Sequence, residues 1–190
     1  ASSDEFKTKE GRKSAYDNLI KNDIDGLVVI GGDGSFTGGL KLIEEYNFPV
    51  IGIPGTIDND LFGTSHTLGY DTALNTATDA IDKIRDTAIS HHRLFLVEVM
   101  GRDAGFIALN TGIAIGAQEI LIPEVNMSLD NLINSLKRSK SAGKTSTIIV
   151  VAEGDKTGNN VFQLADTIET KLPKYEVRVS VLGHMQRGGS

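Results

Sequence analysis

The chain has 190 residues, 39% of them hydrophobic, and no apolar run approaches the roughly 18–20 residues that cross a bilayer, so it reads as a soluble globular chain able to bury a sizeable core. A net charge of -6 with thinly spread Lys and Arg argues against nucleic-acid binding, and the absence of cysteine removes disulfides and thiolate metal sites, which fits a reducing, cytoplasmic setting. The opening ASSDEFKTKEGR lacks the apolar h-region of a secretion signal, and the 21 glycines are clustered.

In chain order, residues 11–22 read as a helix, GLVVI (26–30) as a strand, 36–46 as a helix and PVIGI (49–53) as a second strand. Between 69 and 90, Ala73, Ala77, Ala80, Ile81, Ile84 and Ala88 form one apolar stripe of a long helix. RLFLVEV (93–99) comes next as a strand, 104–115 as a helix, and EILI (119–122) as a strand. Ser128 is placed to N-cap a helix carrying Leu129, Leu132, Ile133 and Leu136 on one face, with Gly143 just past its end. TIIVVA (147–152), a helix over 161–172 and VRVSVL (177–182) complete the series. Strands this continuous in apolar character are expected to be buried on both faces, and their alternation with helices predicts an α/β fold with mainly parallel sheet.

The residues just past each strand are not a random sample. The runs GGDGS, PGTIDND, MGRDAG, EGD and GHMQRGG place small and charged residues at strand carboxyl ends, where open α/β sheets form their ligand crevice. Gly31, Gly32, Asp33, Gly34 and Ser35 lead into a helix whose free N–H groups suit phosphate, and Asp33 makes sense there if Mg²⁺ lies between carboxylate and phosphate. A tight turn with Asp33 as N-cap is the plainer alternative. Asp58 and Asp60, two apart, would face the same side in extended backbone and titrate as a coupled pair, or else belong to an Asx-rich turn. Arg102 and Asp103 precede a helix as either an anion-binding arginine or a surface ion pair. Arg178, His184 and Arg187 with Gly183, Gly188 and Gly189 suggest a second, cationic anion site. Two unlike phosphate sites suit a kinase acting on a phosphorylated small molecule.

Several common motifs are excluded. Gly32, Gly34 and Gly38 miss the dinucleotide spacing by one residue, and Pro54 and Gly55 stand where a ribose-binding acid is wanted. Gly143, Lys144 and Thr145 imitate the end of a P-loop, but Arg138 occupies the place of its first glycine and a strand comes after it. His91 and His92 match no metal-binding spacing.

Taken together, GGDGS (31–35), PGTIDND (54–60), SHHR (90–93), VEVMGRDAG (97–105), AEG (152–154) and VLGHMQRGG (181–189) resemble the phosphofructokinase family in order and approximate spacing. The resemblance implies two Rossmann-like lobes with doubly wound, mostly parallel sheets and the site between them. Residues 1–69 would belong to the nucleotide-binding lobe, 70–185 to the fructose 6-phosphate-binding lobe, and 186–190 would begin a return to the first, in a chain shorter than the family at both ends and inactive alone. It implies Mg²⁺-dependent transfer of the ATP γ-phosphoryl to the 1-hydroxyl of fructose 6-phosphate. Gly32, Asp33, Gly34 and Ser35 would then hold the nucleotide phosphates, with Asp33 on the metal. Asp58 would be the base, with Thr56, Ile57 and Asp60 beside it. Met100, Gly101 and Arg102 would contact the sugar phosphate, Arg102 also the transferred charge; Glu153 would accept from sugar hydroxyls; His184, Met185, Gln186 and Arg187 would bind around the 6-phosphate. Arg93 and Arg178 would reach a neighbouring subunit's phosphate, which implies a homo-oligomer, a dimer or tetramer.

Relatives that use pyrophosphate carry an acid at the place of Gly34 and a lysine at the place of Gly55, so the two glycines favour ATP over pyrophosphate as donor. At the resembling effector site Arg85, Gly116 and Lys144 match, whereas Gln118 and Ser146 depart from the usual acid and His. A non-catalytic binder of nucleotide or sugar phosphate is the alternative from another class.

Overall fold

A computed structural model describes residues 4–91, 93–141 and 147–188; His92, Gly143, Lys144, Thr145, Ser146, Gly189 and the side chains of residues 86–91, Ala88 among them, lie outside the described set. The chain forms two compact units, Ala1–Thr56 with Leu61–Thr64, and Ile57–Asp60 with Ser65–Ser190.

In the first unit a 3-10 turn, Glu5–Lys7, leads into helix α1, Lys9–Lys21, whose N-cap Thr8 accepts from the Gly11 N–H at 3.0 Å. Strand β1, Leu27–Gly31, helix α2, Asp33–Tyr46, and strand β2, Val50–Pro54, form a parallel crossover unit in register from Leu27 opposite Val50 to Gly31 opposite Pro54. Asn47 ends α2 in the left-handed region, φ 51°. Glycine lets α2 lie close to the sheet: a Cβ on Gly52 would stand 2.9 Å from the Phe36 ring, and one on Gly39 3.0 Å from Val50.

Burial of both faces, expected from the apolar runs, does not hold for these two strands. Val28, Ile30 and Ile51 are 60–67% exposed. Helix α2 covers the Val29 and Val50 side, and no described element of this unit covers the other; an apolar run does not reveal how many layers will pack on it.

The second unit contains helix α3 (Tyr70–His91), strand β3 (Leu94–Val99), helix α4 (Phe106–Ala114), strand β4 (Glu119–Leu121), helix α5 (Leu129–Ser141), strand β5 (Thr147–Ala152), helix α6 (Val161–Lys171), strand β6 (Val177–Val181) and a 3-10 turn, Gly183–Arg187. The four strands form a separate parallel sheet in the order β4-β5-β3-β6. Both of its faces are buried, as the apolar runs predict. Phe95, Val97, Val99, Ile148 and Val150 pack with Ala73, Ala77 and Ile81 of α3 and with Ile107 and Ala108 of α4. On the other face Leu94, Leu96, Ile149 and Val151 meet Leu132 and Leu136 of α5 and Leu164 and Ile168 of α6. Ser128 caps α5 as expected, its hydroxyl accepting from the Asn131 N–H at 3.2 Å. Among the described residues no helix is long and apolar enough to cross a membrane.

Arg12 fastens α1 to α2 by a two-pronged pair with Glu45 at 2.7 and 2.8 Å, and its Nη1 donates to the Phe6 and Lys7 carbonyls at 3.0 and 2.8 Å. The hydrogen bonds from Arg12 hold the Glu45 carboxyl below its ordinary value. A lowered carboxyl contributes stability that is present above the ordinary glutamate range and lost as pH falls through its folded value. Glu45→Gln is therefore expected to melt below the parent near neutral pH, with the gap closing on acidification; thermal melting across an acid pH series checks it.

Candidate functional site

In the first unit β1 and β2 end side by side, the Gly55 N–H donating to the Gly31 carbonyl at 2.9 Å. Gly31 completes β1 and Gly32 is the N-cap of α2, so Asp33 is the first helical residue and not the cap. Gly32 approaches Thr56 so closely that a Cβ would meet the Thr56 side chain at 3.3 Å. The first N–H groups of a helix generally lack an i−4 partner, but in α2 the Ser35 N–H already donates to the Gly32 carbonyl at 3.0 Å; above Gly34 nothing lies within 4 Å of a built Cβ. Gly55 is different: a Cβ there would stand 2.8 Å from Ile30 and 3.3 Å from the Gly31 nitrogen. Among the described residues no group of three or more His, Asp or Glu side chains could hold a metal alone. Asp33 offers one exposed carboxylate in the first turn of α2, which fits a cation already carrying phosphates and waters.

Ile57–Asp60 belongs to the second unit. The expected same-side pairing of Asp58 with Asp60 fails, because Asn59 between them is left-handed, φ 57°, and breaks the extended alternation. Asn59 accepts from the Thr67 N–H at 2.8 Å and donates to the Ser65 carbonyl at 3.2 Å. That Asx-rich turn buries Asp58 to 7% exposure and leaves Asp60 in solvent.

The densest polar arrangement lies at the carboxyl ends of β3 and β5. The connection leaving β3 crosses one face through α4, and that leaving β5 crosses the other through α6, so the two loops diverge and leave a crevice. There Met100, Gly101 and Arg102 form a turn with Gly101 at φ 144° and Arg102 at φ 53°. Glu153 Oε1 accepts from the Gly101 N–H at 3.1 Å and the Arg102 N–H at 2.6 Å. Gln186, wholly buried, accepts from the Met100 N–H at 2.9 Å through Oε1, while its amide nitrogen has no partner among the described residues. Gly154 must be small, since a Cβ would reach the Arg102 carbonyl oxygen at 2.2 Å. Arg102 is exposed, and so are Glu153, His184, Met185 and Arg187.

Arg178 does not join His184 and Arg187. It is the second residue of β6, and Arg93 stands just before β3, so both occupy the amino edge of the sheet, roughly 20 Å from the crevice at about 3.3 Å per residue. The expected cluster overlooked the length of the strand between Arg178 and His184. At this edge Glu176 pairs with Arg93 at 3.0 Å and with Arg178. Arg85 donates to the Ile115 carbonyl beside Gly116, φ 63°.

Three further carboxylates matter that no motif marks. Glu98 is the one charge in the strand LFLVEV, and burial, then the negative charge of Glu153, raises its pKa. Glu124 accepts from the N–H of Gly105, the N-cap of α4, at 2.7 Å, a long-range cap with no local signature. Glu176 is detectable as a charge two residues before Arg178, on the same side of an extended segment.

The family model described as Phosphofructokinase matches residues 1–190. ATP-dependent 6-phosphofructokinase 2 of Bacteroides thetaiotaomicron is 56% identical over 186 residues, 98% of this chain and 57% of that protein. ATP-dependent 6-phosphofructokinase 1 of Thermus thermophilus is 55% identical over 190 residues, 100% of this chain and 58% of that protein. The crystal structure of Pichia pastoris phosphofructokinase in the T-state superposes with a TM-score of 0.88 at 36% identity, covering 100% of this chain and 22% of that one. A pyrophosphate-dependent phosphofructokinase from Marinobacter aquaeolei gives 0.78 at 25% identity, covering 96% of this chain and 50% of that one. The chain thus spans 57–58% of the length of these two sequence relatives.

Gly154→Ala is expected to push the Arg102 turn off the end of β5 and to cost about 1–3 kcal/mol, read by denaturant unfolding. A carboxyl with a raised folded pKa, such as Glu98, contributes stability that is present below the ordinary glutamate value and lost as pH rises through the folded value. Glu98→Gln should therefore gain on the parent as pH rises across that window, a trend that melting curves across pH would show.

Proposed function

The chain belongs to the phosphofructokinase family, and from that premise we propose that the enzyme it contributes to transfers the γ-phosphoryl of ATP to the 1-hydroxyl of fructose 6-phosphate, a glycolytic step. The observation that carries this reading is the Met100–Arg102 turn, held by Gln186 on one side and Glu153 on the other, presenting an exposed arginine at the switch point of a parallel sheet. Phosphoryl transfer asks for positioned reactants and neutralised charge more than for covalent chemistry.

In this reading Gly32 to Ser35, at the start of α2, hold the nucleotide phosphates, through backbone N–H groups ahead of Ser35, whose own N–H is taken by the Gly32 carbonyl, and Asp33 holds the Mg²⁺ that travels with them. The cation supplies charge neutralisation at the phosphates when bound. Asp58 accepts the proton of the attacking hydroxyl; its burial keeps the carboxylate fixed, while Thr56 and Ile57 position it and exposed Asp60 adds negative charge nearby. Arg102 neutralises the transferred group. His184 and Arg187 bind the 6-phosphate, with Met185 beside them. Glu153 keeps the role of sugar-hydroxyl acceptor only through what its two turn contacts leave free. Gln186, wholly buried, supports the turn from behind.

Arg93 and Arg178, on the far edge of the sheet, serve a second copy's 6-phosphate, so the active form is a homo-oligomer. Arg85 and Gly116 match the resembling effector site, but Gln118 and Ser146 depart from its usual acid and His, so regulation through it is not proposed; Lys144 and Ser146 lie outside the described residues. ATP is favoured over pyrophosphate on two grounds. Space is open above Gly34 where a nucleotide would pass, and the lysine of pyrophosphate users has no room at Gly55. The ATP-dependent relatives are also the more similar ones.

Asp58→Asn in the complete enzyme is expected to lower kcat by about 10²–10⁴-fold with KM little changed; unchanged turnover would instead indicate a binding module. A coupled assay with fructose 6-phosphate should give faster turnover with ATP than with pyrophosphate, and the reverse would overturn the donor assignment.

A further inference from the structure

The amino edge of the four-stranded sheet holds a three-charge cluster. Arg93 precedes β3 and Glu176 precedes β6, and the backbone between them is pinned because the Leu94 N–H donates to the Glu176 carbonyl at 3.0 Å. One carboxylate oxygen, Glu176 Oε1, takes the Nη2 of Arg93 at 3.0 Å and the Nη2 of Arg178. Two guanidiniums converging on one oxygen is the geometry in which arginines hold a phosphate oxygen. The cluster is also incompletely satisfied: Arg93 Nε is buried with no acceptor among the described residues. A carboxylate with two oxygens leaves such a donor unmet, whereas a phosphate has three free oxygens to offer.

We propose that Glu176 is an internal stand-in for phosphate, a positioning residue that holds Arg93 and Arg178 together in the unliganded protein and competes with the incoming 6-phosphate of the neighbouring copy's substrate. The proposal rests on Arg93 and Arg178 serving that phosphate, as in the function proposed for the enzyme. With Glu176 the three side chains carry a net charge of +1 (two arginines less one carboxylate); without it the pair carries +2. The carboxylate keeps two like charges from splaying apart, and the substrate must displace or share it. All three side chains are partly in solvent, so the competition is modest, of the size of a surface ion pair.

Glu176→Gln in the complete enzyme keeps the shape and removes the charge. It is expected to lower KM for fructose 6-phosphate about two- to fivefold at low salt, with kcat within about twofold, and the effect should shrink as ionic strength rises. Glu176→Ala should act in the same direction, and melting curves confirm that both variants fold. A KM that is unchanged or raised in a folded variant overturns the proposal. Arg178→Ala, run beside them, must raise KM; if it does not, the assignment of the arginines to the substrate phosphate falls, a failure separate from that of Glu176.

Discussion

The constraint on which the rest of the second unit depends is burial of the β4-β5-β3-β6 sheet on both faces. A parallel strand must be succeeded by a crossover, and a sheet apolar on both sides needs crossovers on both sides. Alternate residues of β3 make this explicit: Phe95, Val97 and Val99 face α3 and α4, Leu94 and Leu96 face α5 and α6. Once α4 and α6 lie on opposite faces, the loops leaving β3 and β5 must part. The crevice is a by-product of covering the sheet, and polar groups collect there because it is the place at the end of the core that neither helix seals.

The crevice then has to be stiffened. Gly101 and Arg102 both take positive φ, which a β-branched or bulky residue avoids and which arginine adopts only at some cost. The surroundings over-determine the turn: Glu153 accepts two of its N–H groups, Gln186 accepts a third, and Gly154 has no side chain to displace it. Glu153 in turn helps to raise the pKa of Glu98, after burial, so the carboxylate that fixes the turn also bears on the protonation of a second carboxyl. The order of effects runs from backbone strain to carboxylate placement to titration.

Much of this is legible in the amino-acid order. Short, nearly continuous apolar runs locate the strands and a period-3.6 apolar stripe the long helix, because each pattern reflects burial, and the run of Ala73, Ala77 and Ile81 is buried as its spacing demands. Charged residues at strand ends mark the crevice. The features that stay hidden are of two kinds. Pairing is non-local, so nothing in the apolar runs shows that β1 and β2 form a sheet of their own with Val28, Ile30 and Ile51 exposed. Single-residue backbone choices are equally silent: left-handed Asn59 changes the relation between Asp58 and Asp60, and a pattern that assumes extended backbone has no means of registering it.

The same strand length that separates Arg178 from His184 gives the sheet two chemically different ends. The carboxyl edge gathers Met100–Arg102, Glu153 and the Gly183–Arg187 turn, while the amino edge carries Arg93, Glu176 and Arg178. A strand is rigid on this scale, so the two sets of cations cannot meet on one ligand within a single chain. An isolated cationic edge would be a liability of repelling charges, and Glu176 limits it by lowering the cluster to a single net positive charge. Two arginines placed there for packing alone could be replaced by neutral side chains at little loss, since half-exposed ion pairs contribute little stability. Under the function proposed above, their place beside an Arg93 Nε with no acceptor among the described residues is consistent with a role toward an anion from outside the chain.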